Sequence, residues 1–79
     1  MTADISAAAL GNHLKALRAQ RKMTQADLAE AVGVTRKTVN TVENQVFIPS
    51  TLLALKFAQA LGVTVDELFY LIETETPGT

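Results

Sequence analysis

The stretch that decides the fold is TQADLAEAVGVTRKTVNTVEN, residues 24–44. Its first half predicts a short helix. Thr24, followed by Asp27 three residues later, has the pattern of a capping box, in which each residue satisfies a backbone N–H of the other. Gly33 then supplies the residue type that ends a helix in the left-handed conformation. A well-delimited helix is therefore expected over residues 25–32.

The second half of the stretch predicts another short helix, which is polar on all but one narrow stripe. Thr35 is its expected N-cap, and it runs from Arg36 to about Glu43 with Val39 and Val42 as its aliphatic side chains. The connection through Gly33 is too tight for antiparallel packing, so the two helices should cross at a steep angle with the valines between them. The rest of the second helix stays exposed.

Similar start and stop signals divide the remaining chain into helices joined by loops of a few residues. The expected helices, with their caps, are 12–22 with Asn12, 51–61 with Ser50 and Gly62, and 65–71 with Thr64. Together with the pair in residues 24–44 they predict a compact, all-α, five-helix domain. Residues 69–75 have an alternative as a short C-terminal edge strand that pairs with its twin in a dimer.

The composition excludes several classes of protein. At 79 residues the chain is one domain, and a chain this short buries only about 60% of its unfolded surface, which favours a helical fold. Cysteine is absent, which excludes disulfides and thiolate sites and suits the cytoplasm. Paired acids, a nucleophile with its base, a glycine-rich phosphate loop and a membrane-spanning apolar run are also missing. We expect a cytoplasmic protein that is not an enzyme and needs no cofactor, metal or membrane.

The charge is distributed unevenly along the chain. The net charge of −1 gives no reason by itself to expect a nucleic-acid partner. Most of the cations, however, lie at or before Lys37, whereas most of the acids lie after it. The cations of the first part are Lys15, Arg18, Arg21, Lys22, Arg36 and Lys37. One face that meets a polyanion would require such an asymmetry.

Residues 24–44, with Pro49-Ser50 and LGVTVDELF at residues 61–69, resemble the Cro-type family of XRE-like, lambda-repressor-like bacterial and phage transcription regulators. The resemblance implies an N-terminal arm at 1–11, a helix-turn-helix DNA-binding domain at 12–72 with its motif at 25–44, and a tail at 73–79. It also implies a cytoplasmic, nucleoid-associated protein that binds a short inverted repeat of double-stranded DNA as a homodimer. Repression is the expected mode, and no small-molecule effector is evident.

In this family the helix that begins at Arg36 lies in the major groove, and the residue chemistry agrees. Arginine and lysine donate to guanine, asparagine pairs with adenine, and threonine contacts a thymine methyl or a phosphate. The expected base-reading residues are Arg36, Lys37, Asn40 and Thr41. The residues expected to contact phosphate are Gln25, Thr35, Thr38 and Asn44.

Two further features follow from the resemblance. A basic residue of the first helix commonly pairs with the glutamate that closes the reading helix, so Arg18 and Glu43 are expected to form a partly buried salt bridge. After that glutamate the family often has Asn-Gly-Lys, whereas this chain has Asn44-Gln45-Val46. Asn44 is expected to take over the left-handed stop, and Phe47 of the apolar loop is expected to pack over the core.

Leu52 and Leu55 lie off the core stripe of their helix, so another surface should cover them. A symmetric partner is one candidate, and residues 5–10 are the other. The expected dimer interface consists of Leu52, Leu55, Tyr70 and Leu71. The rival interpretation is an antitoxin-like interaction module whose main partner is another protein and whose DNA binding is secondary.

Overall fold

The structure is a computed structural model that describes residues 8–73. Within that range the elements are β1 (Ala8–Asn12), α1 (Leu14–Gln20), α2 (Gln25–Val32), α3 (Arg36–Glu43), α4 (Thr51–Leu61), α5 (Val65–Leu68) and β2 (Phe69–Glu73). The five helices are confirmed, but the all-α class is wrong because the two ends of the described chain pair as strands. None of the described helices has the length and apolarity that crossing a bilayer requires.

The two strands form an antiparallel sheet in which Leu10 lies opposite Leu71 and Gly11 opposite Tyr70. Helix α5 ends at Leu68 rather than at about Leu71, since Phe69 has extended backbone angles (φ −116°, ψ 147°). The aromatic and β-branched residues that follow fit a strand better than a helix. One edge of β2 is therefore occupied by its own chain, whereas the sequence suggested pairing with a twin.

Helix α1 is shorter than expected at both ends. Asn12 belongs to β1, and His13 is the residue before the helix. Asn12 nevertheless performs part of the capping role, because its Oδ1 accepts a hydrogen bond from the Leu14 amide at 3.0 Å. Its Nδ2 donates to the carbonyl of Val42 at 3.0 Å. The same amide thus ties the start of α1 to the end of α3.

Helices α2 and α3 have the predicted bounds. Thr24 and Asp27 exchange the two hydrogen bonds of the capping box, at 2.9 and 3.0 Å. The hydrogen bond from the Thr24 backbone, followed by that from its side chain, holds the pKa of the Asp27 carboxyl below its usual value. Gly33 is left-handed (φ 80°), and Thr35 accepts from the amide of Thr38 at 3.2 Å. Local capping chemistry therefore sets where both helices begin and where α2 ends.

The core fixes how α3 lies on the rest of the domain. Fully buried side chains come from every helix, with Phe57 of α4 as the largest among them. They are Leu14, Leu28, Val39, Val42, Phe57, Leu61 and Leu68. The two valines of α3 are completely enclosed, so this helix is anchored along one edge and exposes its opposite face.

Candidate nucleic-acid interface

The exposed face of α3 carries unpaired positive charge at its start. Arg36, Lys37 and Asn40 are exposed, while Val39 and Val42 hold the opposite edge in the core. Among residues 8–73, one salt bridge forms, and it involves neither Arg36 nor Lys37. The two cations are therefore available to an anionic partner, and the chain offers them no carboxylate in its described part.

The salt bridge expected between Arg18 and Glu43 is present in the structure. The Nε of Arg18 donates to Oε2 of Glu43 at 2.7 Å, and the side chains are 14% and 4% exposed. A further guanidinium nitrogen of Arg18 donates to the carbonyl of Met23 at 2.8 Å. This one arginine thus joins α1, the loop before α2 and the last residue of α3.

Gln25 joins the same network. Its Nε2 donates to Oε1 of Glu43 at 3.0 Å, and Arg18 donates to that same oxygen at 3.4 Å. From the sequence, Gln25 was expected to contact phosphate, and this bond from the start of α2 to the end of α3 was not predicted. The first residue of α2 is consequently linked to the last residue of α3.

The threonines of α3 use their hydroxyl groups within the helix. The Thr35 and Thr38 hydroxyls hydrogen-bond to each other at 3.0 Å, and Thr41 Oγ1 donates to the carbonyl of Thr38 at 2.9 Å. Thr41 was expected to read bases and Thr38 to contact phosphate. With its single proton committed, Thr41 can offer a ligand an acceptor oxygen and a methyl group.

Helix α3 ends differently from expectation. The left-handed residue is Gln45 (φ 64°), whereas Asn44 keeps φ −91°, so the prediction that Asn44 supplies the left-handed stop is wrong. The reason is that the side-chain amide of Asn44 donates to the carbonyl of Asn40 at 2.9 Å, which keeps its backbone near the helical region. The reversal therefore falls one residue later, at the position where the family often has glycine.

This left-handed glutamine supplies a stability prediction. A side chain costs about 1–2 kcal/mol in the left-handed conformation, a penalty that glycine does not have. Gln45→Gly should raise the free energy of unfolding by about 1 kcal/mol in urea denaturation. Gln45→Ala is the matched control, since alanine keeps the Cβ atom and should bring no such gain. Equal stability of the glycine and alanine variants would contradict the strain.

The loop after α3 is apolar and exposed. Val46 and Ile48 are 77% and 71% exposed, and Phe47 is 47% exposed. The prediction that Phe47 packs over the core is wrong, because Phe47 is exposed and is not among the hydrophobic side chains that pack against the buried cluster. The amides of Val46 and Phe47 both donate to the carbonyl of Thr41, at 2.9 and 3.2 Å. The loop is thus held against the last turns of α3.

Of the four residues expected at a dimer interface, Leu52 and Leu55 lie on α4, whereas Tyr70 and Leu71 lie on opposite faces of the sheet. Directly opposed residues of antiparallel strands share a face, and successive residues alternate. Leu71 therefore shares a face with Leu10, which lines an apolar cavity together with Leu55. Tyr70 lies on the other face, where its ring stacks on His13 with the ring centroids 4.7 Å apart.

The Tyr70 ring also explains why position 11 is glycine. A Cβ atom built on Gly11 would lie 2.5 Å from a ring carbon of Tyr70, far inside van der Waals contact. The exposed leucines Leu52, Leu55 and Leu71 are each more than half exposed and have no such intramolecular cover from residues 8–73. The structure therefore separates Tyr70, which packs on its own chain, from the leucines, which do not.

Comparison with known proteins agrees with the geometry of α2 and α3. A helix-turn-helix family model matches residues 14–68. The chain is 44% identical over 62 residues to YgzD of Bacillus subtilis (strain 168), an uncharacterized HTH-type transcriptional regulator, covering 78% of this chain and 94% of that one.

Two further proteins extend the comparison. The chain is 34% identical over 59 residues to the immunity repressor protein of Bacillus phage phi105, covering 75% of this chain but 41% of that longer protein. A crystal structure of a proposed DNA-binding protein from Bacteroides fragilis superposes with a TM-score of 0.71 at 26% identity, covering 77% of this chain and 98% of that one. With two capped helices, α2 and α3, joined through Gly33, the chain belongs to the Cro-type, XRE-like helix-turn-helix family of transcription regulators.

Proposed function

We propose that this protein is a transcriptional repressor that binds a short inverted repeat of double-stranded DNA as a homodimer. The observation that carries the proposal is the start of α3, where Arg36 and Lys37 are exposed and form no salt bridge within the described residues. The family gives DNA binding and regulation, and this helix supplies the chemistry for reading a sequence. The Bacillus phage relative that is named an immunity repressor supports repression as the mode.

The proposed base contacts follow from the side chains on the exposed face of α3. The guanidinium of Arg36 and the ammonium of Lys37 donate to guanine O6 and N7, and the amide of Asn40 pairs with adenine N6 and N7. Asn40 is exposed, and the neighbouring Asn44 binds its backbone carbonyl. Thr41 contributes mainly apolar contact, since its hydroxyl proton is used inside the helix.

The proposed phosphate contacts lie around the base-reading face and set its register. Gln25 keeps the acceptor end of its amide and one amide proton beyond its bond to Glu43. The remaining phosphate-contacting candidates are Thr35, Thr38 and Asn44, at the two ends and along one flank of α3. Contacts of this kind position a protein on the duplex and carry no sequence information themselves.

The proposed dimer is formed by the leucines of α4 and β2. Leu55 lines an apolar cavity together with Leu10 and Phe69, and Leu71 lies opposite Leu10 in the sheet, so apolar surface extends from the helix to the strand. A two-fold interface presents the same patch from both copies and would place two α3 helices about 34 Å apart, in successive major grooves. Leu52, one turn before Leu55, extends the same patch.

The same exposed leucines support the rival function, an antitoxin-like module that binds a different protein. Purification of the protein with a stoichiometric second protein, lost in Leu52→Glu, would favour the rival. Self-association of the purified chain to a dimer would favour the repressor. Both functions use the same patch, and they differ in whether the chain is its own partner.

Selection from a random-sequence DNA pool at near-physiological salt tests the DNA-binding proposal. An inverted repeat should be enriched, and its affinity should fall steeply with salt because phosphate contacts release counterions. Arg36→Ala should cost about 1–3 kcal/mol on the selected duplex and relax the base preference at one position per half-site. Lys56→Ala, which removes an exposed cation from α4 instead, is the matched control. Failure to enrich any repeat, with wild type and Arg36→Ala equally weak, would refute the proposal.

A further inference from the structure

A small pocket flanks α3 on the side away from Glu43. It is lined by Lys37, Thr38 and Thr41 of the helix and by Val46 and Phe47 of the loop that follows. The three helix residues lie on adjacent turns of the face that is proposed to enter the major groove. The pocket is therefore continuous with the proposed base-reading surface, although two of its residues lie outside the helix.

Backbone hydrogen bonds hold the loop side of the pocket to α3. Two consecutive amides, those of Val46 and Phe47, donate to the carbonyl of Thr41. Gln45 adopts the left-handed conformation that turns the chain back toward the helix. This turn places two apolar side chains beside α3 and leaves them exposed to solvent, where they contribute little to the core.

The two threonine hydroxyls of the pocket already take part in hydrogen bonds within the protein. The Thr38 hydroxyl is bonded to that of Thr35, and the Thr41 hydroxyl donates to the carbonyl of Thr38. Valine and phenylalanine add only carbon atoms. Lys37 is the one charged residue of the lining, and its ammonium can reach a base edge or a phosphate beside the pocket.

We propose that this pocket receives the C5-methyl group of a thymine in each half-site, which makes Val46 and Phe47 specificity-determining residues. The thymine methyl is the one apolar group that base edges present in the major groove. It fits a pocket to which Val46 and Phe47 contribute only carbon atoms. The inference rests on the proposed function, because it requires α3 to lie in that groove.

Deoxyuridine tests the inference, since it lacks the C5-methyl group and keeps the hydrogen-bonding pattern of thymine. The duplex is the inverted repeat selected from the random pool, with each thymine replaced symmetrically in turn. One position should show an affinity loss of about fourfold per half-site, the effect of burying about one methyl group. If no thymine of the selected repeat shows this loss while Arg36→Ala still weakens binding, the proposed thymine contact is wrong. The proposed function would still stand.

Variants of the loop assign the effect to the pocket. Val46→Ser should abolish the difference between thymine and deoxyuridine duplexes, and its 77% exposure makes misfolding a small concern. Ile48→Ser is the matched control, because Ile48 is similarly exposed in the same loop but does not line the pocket. A thymine preference that is unchanged in Val46→Ser, or equally lost in Ile48→Ser, would overturn the assignment.

Discussion

Arg18→Ala should lower the free energy of unfolding by about 3–5 kcal/mol, because it leaves the enclosed carboxylate of Glu43 without its charge partner. Glu43 is 4% exposed, and both of its oxygens accept hydrogen bonds from Arg18. The neutral amide of Gln25 would remain as its partner. Small domains are stable by only about 5–15 kcal/mol, so this single change removes a large share. Urea denaturation at neutral pH measures it.

Two further variants separate the ion pair from the general effect of removing an arginine. Arg21→Ala is the matched control, since Arg21 is exposed and its guanidinium bonds only to a carbonyl of its own helix among the described residues. It should cost less than about 0.5 kcal/mol. Arg18→Met combined with Glu43→Leu should recover much of the loss, because no charge is then left unpaired. Equal losses for Arg18→Ala and Arg21→Ala would contradict this account.

Leu55→Glu should convert the protein to a monomer and lower its affinity for the inverted repeat by about 100-fold or more. In a dimer, binding of one α3 helix to its half-site raises the effective concentration of the other at the second half-site. This raises the affinity about 10²–10⁴-fold over that of a single copy. In the proposed dimer, a glutamate at position 55 would face its own copy across the two-fold axis, where like charges repel. Sedimentation gives the oligomeric state, and fluorescence anisotropy with the labelled repeat gives the affinity.

The control for this prediction keeps the same position apolar. Leu55→Met conserves most of the volume and should retain both the dimer and the affinity. Circular dichroism should show equal helix content for both variants, since Leu55 is half exposed. If Leu55→Glu still sediments as a dimer, the dimer interface must lie on another surface of the protein. A wild-type protein that is monomeric at micromolar concentration would instead favour the rival function.

The position of α3 relative to α1 and α2 depends on few side chains. Val39 and Val42 bury one edge, while Glu43 receives hydrogen bonds from α1 and α2. The Asn12 amide adds a bond to the backbone at the end of α3. Helix α3 is therefore held at its C-terminal end by these bonds, and its N-terminal residues, which are proposed to contact bases, are exposed.

The sequence by itself determined helices α2 and α3, whose ends depend on residues that are close together in the chain. The helix limits in residues 24–36 depend on hydrogen bonds and backbone preferences within one helical turn. The residues responsible, Thr24, Asp27, Gly33 and Thr35, could therefore be identified from the sequence. The spacing of Val39 and Val42 likewise identified the buried edge of α3. The resemblance, rather than the spacing, supplied the pairing of Arg18 with Glu43.

Only the tertiary structure decided the contacts between residues far apart in the chain. The segment AALGN has little strand propensity, and it becomes β1 because β2 lies beside it and supplies hydrogen-bond partners. Tyr70 packs on His13 and Gly11 because of that register, which places it on the face opposite Leu71. The position of the loop beside α3 likewise depends on where the helix ends. The Asn44 side chain bonds to the carbonyl of Asn40, and the left-handed residue is therefore Gln45 rather than Asn44. Helix capping depends on residues within one turn of each other, whereas strand pairing and the exposure of apolar side chains depend on residues that are distant in the sequence and adjacent only in the folded chain.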